Sequence, residues 1–359
     1  MSADGHMVLY ATFNDSLVHE QKYPWYPKPG TNNPAVALTV ADIADPKHIR
    51  TRKLTPPKAV LEEGDYYFTS AQWVSLTEVC VVWLTRTQNL SVVSVCKSPM
   101  WFCQEVYRIT SGAESWVESA PAPLWSAGGG ALVTLAPIRD GPAGLFRHIV
   151  RTEHNAHGPR ALPLTHGSFD IVKLLAWDHT NQHIYYLGIP EGKPGQQHLF
   201  RVSSEAPRPG SPQKLPYCVT CNSQPSPSIN LEFYGNLASP GDSSWDSDWD
   251  EEVPEKLSSI ALPTPRTFSV QLSSGHTARV RLLLPPGLRE DEVTKHGAPG
   301  TQLVTEQWSL DWESLAAGAG AVLASVDARG AGGRGLGAHH ALHRRLGTVE
   351  LADQLEVAE

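Results

Sequence analysis

Five cysteines, two glycosylation-type asparagines and a glycine-rich loop are the residues whose types and spacing bear most directly on chemistry. Four cysteines fall in two close pairs, Cys96 with Cys103 and Cys218 with Cys221, while Cys80 stands alone. Close pairs serve either as disulfides or as halves of zinc sites. No second Cys or His pair at metal-ligand spacing accompanies Cys218-Val-Thr-Cys221, so no metal is expected. Asn14-Asp-Ser16 and Asn89-Leu-Ser91 fit the N-glycosylation acceptor pattern. With local cysteine pairs, they tilt the compartment toward an oxidising, extracellular one. The acidic run Asp242 to Glu252 offers carboxylates to Ca²⁺, but it lacks the central Gly and terminal Glu of a helix-loop-helix calcium site and reads as a solvated linker. No cofactor is expected.

Such residues need a frame, and the frame is largely β. The chain has 359 residues, 41% of them hydrophobic, enough for a sizeable core in two or three domains. With 18% charged residues and 29 Gly plus 29 Pro, it favours short strands and turns, which excludes a helical bundle or coiled coil. Net charge is −8 and the 29 basic residues read as scattered, without the stripe that neutralises phosphates, so no nucleic-acid partner is expected. No window reaches the ~18 apolar residues of a membrane helix, and the start has no basic region followed by an apolar run.

A repeat runs through the first two thirds. Trp73, Trp125 and Trp177 are spaced by 52 and 52 residues, and each precedes a polar or Gly-rich turn and a β-branched or aromatic strand. A period near fifty marks β-propeller blades. The opening Ser2 to Tyr10 repeats the turn and strand, so the chain is expected to begin inside a blade, with an insertion around Tyr23 to Gly30 whose prolines exclude a central strand. In the third repeat the strands run Ile171 to Trp177, His183 to Leu187 and His198 to Val202, in outline a four-stranded meander. The tryptophans read as packing between strands. Farther on, Arg266 to Leu272 and Thr277 to Leu284 predict a hairpin, followed by an amphipathic stretch around Trp308 to Leu315. An apolar strand Ala321 to Val326, the Gly-rich loop Asp327 to Gly335 and a helical segment Leu336 to Glu359 complete an α/β pattern.

Several stretches carry a resemblance: Tyr10 to Ser16, Tyr26-Pro-Lys-Pro-Gly30 with Asn33-Pro34, Val82 to Val92, Cys218 to Cys221, Asp327 to Gly332 and His343 to Gln354. In that order along nearly the whole chain they resemble the dipeptidyl peptidase IV family of serine peptidases. The resemblance implies a mostly β fold with an α/β end. Residues 1–223 would form about four blades of an eight-bladed propeller, 224–256 an irregular acidic linker, and 257–359 an incomplete α/β-hydrolase domain. It implies that Cys96 with Cys103 and Cys218 with Cys221 are disulfides and that Asn89 carries a glycan. It also implies a glycoprotein at the extracellular face of the plasma membrane, whose type II anchor this chain lacks, and a family homodimer that meets peptides or a membrane-protein partner.

The family's chemistry fits less well. Acyl transfer on an α/β-hydrolase fold needs Ser at a Gly-x-Ser-x-Gly elbow, then an acid, then a His. No Gly-x-Ser-x-Gly occurs here, and the nearest look-alike, Ser111-Gly112, falls in a propeller repeat. In the family the elbow follows the motif matched by His343 to Gln354, so no catalytic residue is expected before Glu359. Asp327 with His339 or His340 reads as loop and helix residues. The Glu-Glu pair that holds a substrate's amino terminus would precede Met1, and Glu62-Glu63 and Glu251-Glu252 lie in the wrong segments. The family's oxyanion Tyr sits just before the motif matched by Gly297-Ala298-Pro299. Here Lys295-His296 precede it, and the apolar strand before Gly297 is expected to be missing. The chain is expected to be inactive and to resemble the non-catalytic members that accompany voltage-gated potassium channels. The other reading is a truncated product of an active enzyme that removes X-Pro or X-Ala dipeptides.

Overall fold

The structure, a computed structural model, describes residues 1–16, 18, 30–119, 121–155, 158–206, 215–221, 261–286, 293–296, 302–307 and 311–358. The insertion at 23–29, the whole 224–256 segment with the acidic run at 242–252, Gly297 to Pro299 and Trp308 lie outside the described residues.

Four sheets follow one another along the first two thirds of the chain. The first has three strands, β1 (Met7–Asn14), β2 (Ala35–Asp42) and β3 (Arg50–Lys53), in that order. The next three have four strands each. They are β4 (Tyr66–Ser75), β5 (Glu78–Thr85), β6 (Leu90–Lys97) and β7 (Phe102–Thr110); then β8 (Leu124–Trp125), β9 (Ala131–Asp140), β10 (Gly144–Asn155) and β11 (Gly158–Pro163); then β12 (Ile171–Asp178), β13 (His183–Gly188), β14 (His198–Ser203) and β15 (Tyr217–Cys218). In each sheet, neighbours in sequence are neighbours in space, the meander of a propeller blade.

The second blade shows why the residues adopt this form. Its central strands β5 and β6 are buried along nearly their whole length, so both faces must be apolar. Alternation then divides the strands between two cores. Val79, Val81, Trp83 and Val92 fill one, while Cys80, Val82, Val93 and Val95 fill the other. The one polar atom Trp83 brings inside donates to Ser94 Oγ at 2.9 Å. Trp73, Trp125 and Trp177 each lie at or near the end of their blade's first strand, and Trp73 packs edge-on against Trp101 with ring centres 6.0 Å apart. These tryptophans belong to packing between strands, as their spacing predicts.

The last sheet joins β16 (Thr264–Gln271), β17 (Thr277–Leu284), β18 (Val293–His296) and β19 (Val322–Asp327) in the order β16-β17-β19-β18. The hairpin β16–β17 runs in register from Thr264 opposite Leu284 to Gln271 opposite Thr277. One expectation is overturned here. A strand does stand before Gly297: Val293 to His296 pair in parallel with Val322 to Ser325. It lacks the apolar run used to look for it, because its place is set by backbone pairing to the edge of β19. Between them lies α2 (Trp312–Gly318), preceded in the chain by the short α1 (Lys58–Glu62) of the propeller side. The result is a β-α-β unit whose helix is capped by Asp311, which accepts from Glu313 N at 3.0 Å and Ser314 N at 3.3 Å. The segment expected as one helix from Leu336 is two, α3 (Leu336–His340) and α4 (Val349–Ala358). The break contains Arg344 and Gly347 at positive φ, conformations an α-helix cannot accommodate.

Contacts group the chain into two compact units: Met1–Ala136 with Val150–Leu162, and Pro137–Ile149 with Pro163–Glu359. The division runs through the third blade.

Candidate functional site

The most heavily built polar site is the loop Asp327 to Gly335 that leaves β19. A strand end carrying glycines can turn sharply, but a loop without side chains needs anchors to hold one shape. Charged residues supply them. The Asp327 carboxylate accepts from Leu303 N at 2.9 Å and Val304 N at 2.8 Å, and burial outweighs these bonds to push its pKa up. The Arg334 guanidinium donates to the Asp327 carbonyl at 3.1 Å and to the Thr277 carbonyl. Arg329 makes a bidentate pair with Asp353 of α4, Nε to Oδ2 at 2.9 Å and Nη2 to Oδ1 at 2.5 Å, and its own amide also donates to Oδ2. Asp353 is 1% exposed, so its carboxylate is shielded from water, while Arg329 keeps 18% of its side chain exposed. Its hydrogen bonds raise the pKa of Arg329 further.

At the loop's far end the Gly335 amide donates to Asp170 Oδ2 at 2.7 Å, while Arg147 N donates to Oδ1 at 3.0 Å. One carboxylate thus ties the glycine loop to the β10 and β12 region of the same compact unit. Gly330, at φ +92°, admits no side chain, because a Cβ there would stand 2.2 Å from Leu342. The arrangement is a rigid brace, and its charged groups are spent on holding backbone. Asp327 is engaged by amides, and no histidine stands among its partners; His339 and His340 lie on α3 with their rings stacked 5.7 Å apart.

The cysteines lie at the ends of blades. A disulfide joins Cys96 to Cys103 directly across the β6–β7 hairpin, and another joins Cys218 to Cys221 after β14. Tertiary structure also brings His198 to the second pair: its ring nitrogen and the two sulfurs lie within 4.8 Å of one another. Sequence spacing missed this histidine, since it comes from the neighbouring strand. The sulfurs are spent on their mutual bond, and the His198 ring nitrogens meet Thr220 Oγ1 at 3.1 Å and Gln196 Oε1 at 3.3 Å. Cys80 is a free, buried thiol whose pKa burial drives up to about 12. Asn89 stands exposed in the β5–β6 turn, its Oδ1 accepting from Thr85 and Thr87 hydroxyls at 2.8 Å each. Asn14 is exposed at the end of β1. Glu62 pairs with Lys58 at 3.4 Å within α1.

Among the described residues, no helix is long and apolar enough to cross a membrane.

Residues 1–241 match the family described as the dipeptidyl peptidase IV (DPP IV) N-terminal region. The inactive dipeptidyl peptidase 10 of Rattus norvegicus is 28% identical over 402 residues, covering 99% of this chain and 48% of the relative. Venom dipeptidyl peptidase 4 of Apis mellifera is 28% identical over 405 residues, covering 99% of this chain and 50% of the relative. Among solved structures, dipeptidyl peptidase 4 of Porphyromonas gingivalis superposes with a TM-score of 0.74 at 19% identity, covering 99% of this chain and 52% of that one. The chain spans about half the length of the curated relatives it matches.

Proposed function

This chain belongs to the dipeptidyl peptidase IV family, and from that premise we propose that it is part of a non-catalytic, membrane-associated member that acts as a regulatory subunit of a voltage-gated potassium channel. The observation that carries the reading lies inside the chain. Strand β18 delivers Lys295-His296 to the position just before Gly297-Ala-Pro299, where the family resemblance places the tyrosine that donates to the oxyanion. A donor set in place before the oxyanion forms stabilises the charge that develops during acyl transfer, and losing one costs about 10²–10³ in rate. The 28% identity with a relative named inactive supports the same branch. The 359 residues contain no Gly-x-Ser-x-Gly.

In this reading residues 1–223 are the propeller region, 224–256 a linker and 257–359 the hydrolase start. Asn14 and Asn89 are glycan acceptors in this reading, and the two disulfides support a location outside the cell. The protein would homodimerise as the family does. A Gly-Pro chromogenic substrate offered to the purified protein is expected to be released at the buffer rate. Turnover abolished by a serine-directed inhibitor would overturn the proposal in favour of a peptidase. Co-expression with a voltage-gated potassium channel is expected to shift the channel's gating, and unchanged gating would remove the channel partner. The peptidase reading draws its support from the venom relative, equally similar at 28% identity.

A further inference from the structure

Two sets stand out among the described basic residues of the first compact unit. Lys58, Arg86, Lys97, Arg108 and Arg151 each sit within ion-pair distance of a carboxylate, at 2.6–3.8 Å. Lys47, Arg50, Arg52 and Lys53 do not: none of them pairs with a carboxylate among the described residues. All four are exposed, and they fall within seven positions of one another, in a stretch from Pro46 to Pro57 that contains no Asp or Glu. In a chain of net charge −8, that is a local reversal of sign. The sequence already sets these four cations close together, and the fold adds where they stand.

It sets them along an edge. β3 is the outer strand of the first sheet, paired with β2 on one side from Arg50 opposite Asp42 to Lys53 opposite Thr39. All four of its residues are exposed, whereas β2 is buried from Leu38 to Ala41. Alternation places Arg50 and Arg52 on one face about 7 Å apart, with Lys53 on the other, and Lys47 precedes them in the connecting loop. The nearest acidic groups are Asp45, whose carboxylate is engaged by His48 Nδ1 at 2.7 Å and Lys47 N at 2.9 Å, and Asp42, partly buried opposite Arg50. The result is a narrow cationic ridge on the outer described strand of the sheet, with no ion pair to a carboxylate among the described residues.

We infer that this ridge binds a linear sulfated polysaccharide of the extracellular matrix or cell surface. A ridge with cations on both faces of one strand suits a flexible polyanion that can follow it, rather than a compact anion held in a pocket. A cationic edge resists the addition of another strand, which disfavours an acidic peptide docked by backbone pairing. Nucleic acid is disfavoured because positions 46 to 53 carry no Phe, Tyr or Trp on which a base could stack, and the ring of His48 is engaged by Asp45. The two disulfides point to an oxidising compartment, where sulfated glycans are the abundant linear polyanions.

The test is retention of the full chain on immobilised heparin, with dissociation constants measured against salt. Four neutralised sulfates should give a log–log salt slope of about −3, by analogy with counterion release from nucleic acids. The double variant Arg50→Glu with Arg52→Glu should bind about tenfold or more weakly. Arg160→Glu, which reverses an isolated exposed cation on β11, should leave binding unchanged. If charge reversal disturbs folding by circular dichroism, Arg50→Gln with Arg52→Gln serves in its place and should show the same direction of change. Flow-through of the unaltered chain at low salt overturns the inference, as does equal retention of the double variant. Tighter binding to a poly-glutamate peptide or an oligonucleotide than to heparin of equal charge overturns the assignment to a glycan.

Discussion

The second blade and the loop that leaves β19 are built on opposite principles. The blade's cohesion is largely apolar: β5 and β6 bury Val79 to Thr85 and Leu90 to Cys96 between two cores, and the few polar side chains inside, Thr85, Ser91 and Ser94, bond locally to the neighbouring strand. Many small contacts share the load, so the loss of one should be graded. The loop Asp327 to Gly335 is held by few, directional interactions, of which the Arg329 pair with Asp353 is the most enclosed. Loss of one leaves a charge without its partner, and the effect should be abrupt and local.

The sharpest break is Asp353→Ala. Removing the buried carboxylate leaves the Arg329 guanidinium uncompensated, at a cost of about 3–5 kcal/mol. Hydrogen exchange should show the amides of β19 and α4 opening while β5 and β6 stay protected; equal loss in both regions would show that the two are not separate in their supports. Next, Gly330→Ala combines a left-handed φ with a Cβ 2.2 Å from the buried side chain of Leu342, which would have to shift. A loss of about 3 kcal/mol in chemical denaturation is expected. An unchanged midpoint would mean that the loop can move as a body.

On the blade side, Val92→Ala removes two methyl groups from a fully buried position and should cost about 2 kcal/mol. Its effect should appear as a shifted midpoint without altered protection at Asp327, and a larger effect than that of Asp353→Ala would invert the comparison.

A smaller effect is set by pH. His148 is fully buried; its Nε2 meets the Gly167 carbonyl at 2.9 Å and its Nδ1 meets Thr165 Oγ1 at 3.0 Å. The Gly167 carbonyl can only accept, so Nε2 carries the proton; in the neutral ring Nδ1 then accepts from the Thr165 hydroxyl, whose oxygen also accepts from Ile149 N. Burial lowers the His148 pKa below the ordinary 6.5; the nearby His166 adds to the lowering, while Asp170 and Asp140 oppose it. The unfolded chain therefore binds a proton that the folded chain refuses. Stability is full above 6.5 and falls as pH drops below it. Melting temperature followed downward through that value should decline, and a flat profile would show that His148 does not set the pH dependence. Smallest of all, Cys80 should resist alkylation in the native state at neutral pH, since burial holds its pKa near 12. Mass mapping after denaturation without reductant should then find Cys80 labelled and Cys96, Cys103, Cys218 and Cys221 unlabelled.

Strands and turns were legible in the sequence wherever the cause is local. The hairpin at Ser273 to His276 lies within a short window, because turn chemistry acts over a few residues, and the equal spacing of Trp73, Trp125 and Trp177 shows the same local pattern of Trp, turn and strand repeated. The family was legible for a related reason: its motifs recur in order, whatever their partners. The strand at Val293–His296 was not, since an edge strand paired in parallel needs little apolar signal of its own. The pairing of Arg329 with Asp353 had a visible hint, two opposite charges in two recognised motifs 24 residues apart. That of Asp170 with Gly335 had none, for it spans 165 residues. The gathering of His198 beside Cys218 and Cys221 likewise waited on tertiary structure, as did the placement of Arg50, Arg52 and Lys53 on an outer strand, although those cations already stand close together in the sequence. Sequence alone determined the repeating β architecture and the family, which depend on local conformation and on residue order. Only the fold decided which charges meet and which stay bare, because a charge's partner is set by long-range chain placement that no short window contains.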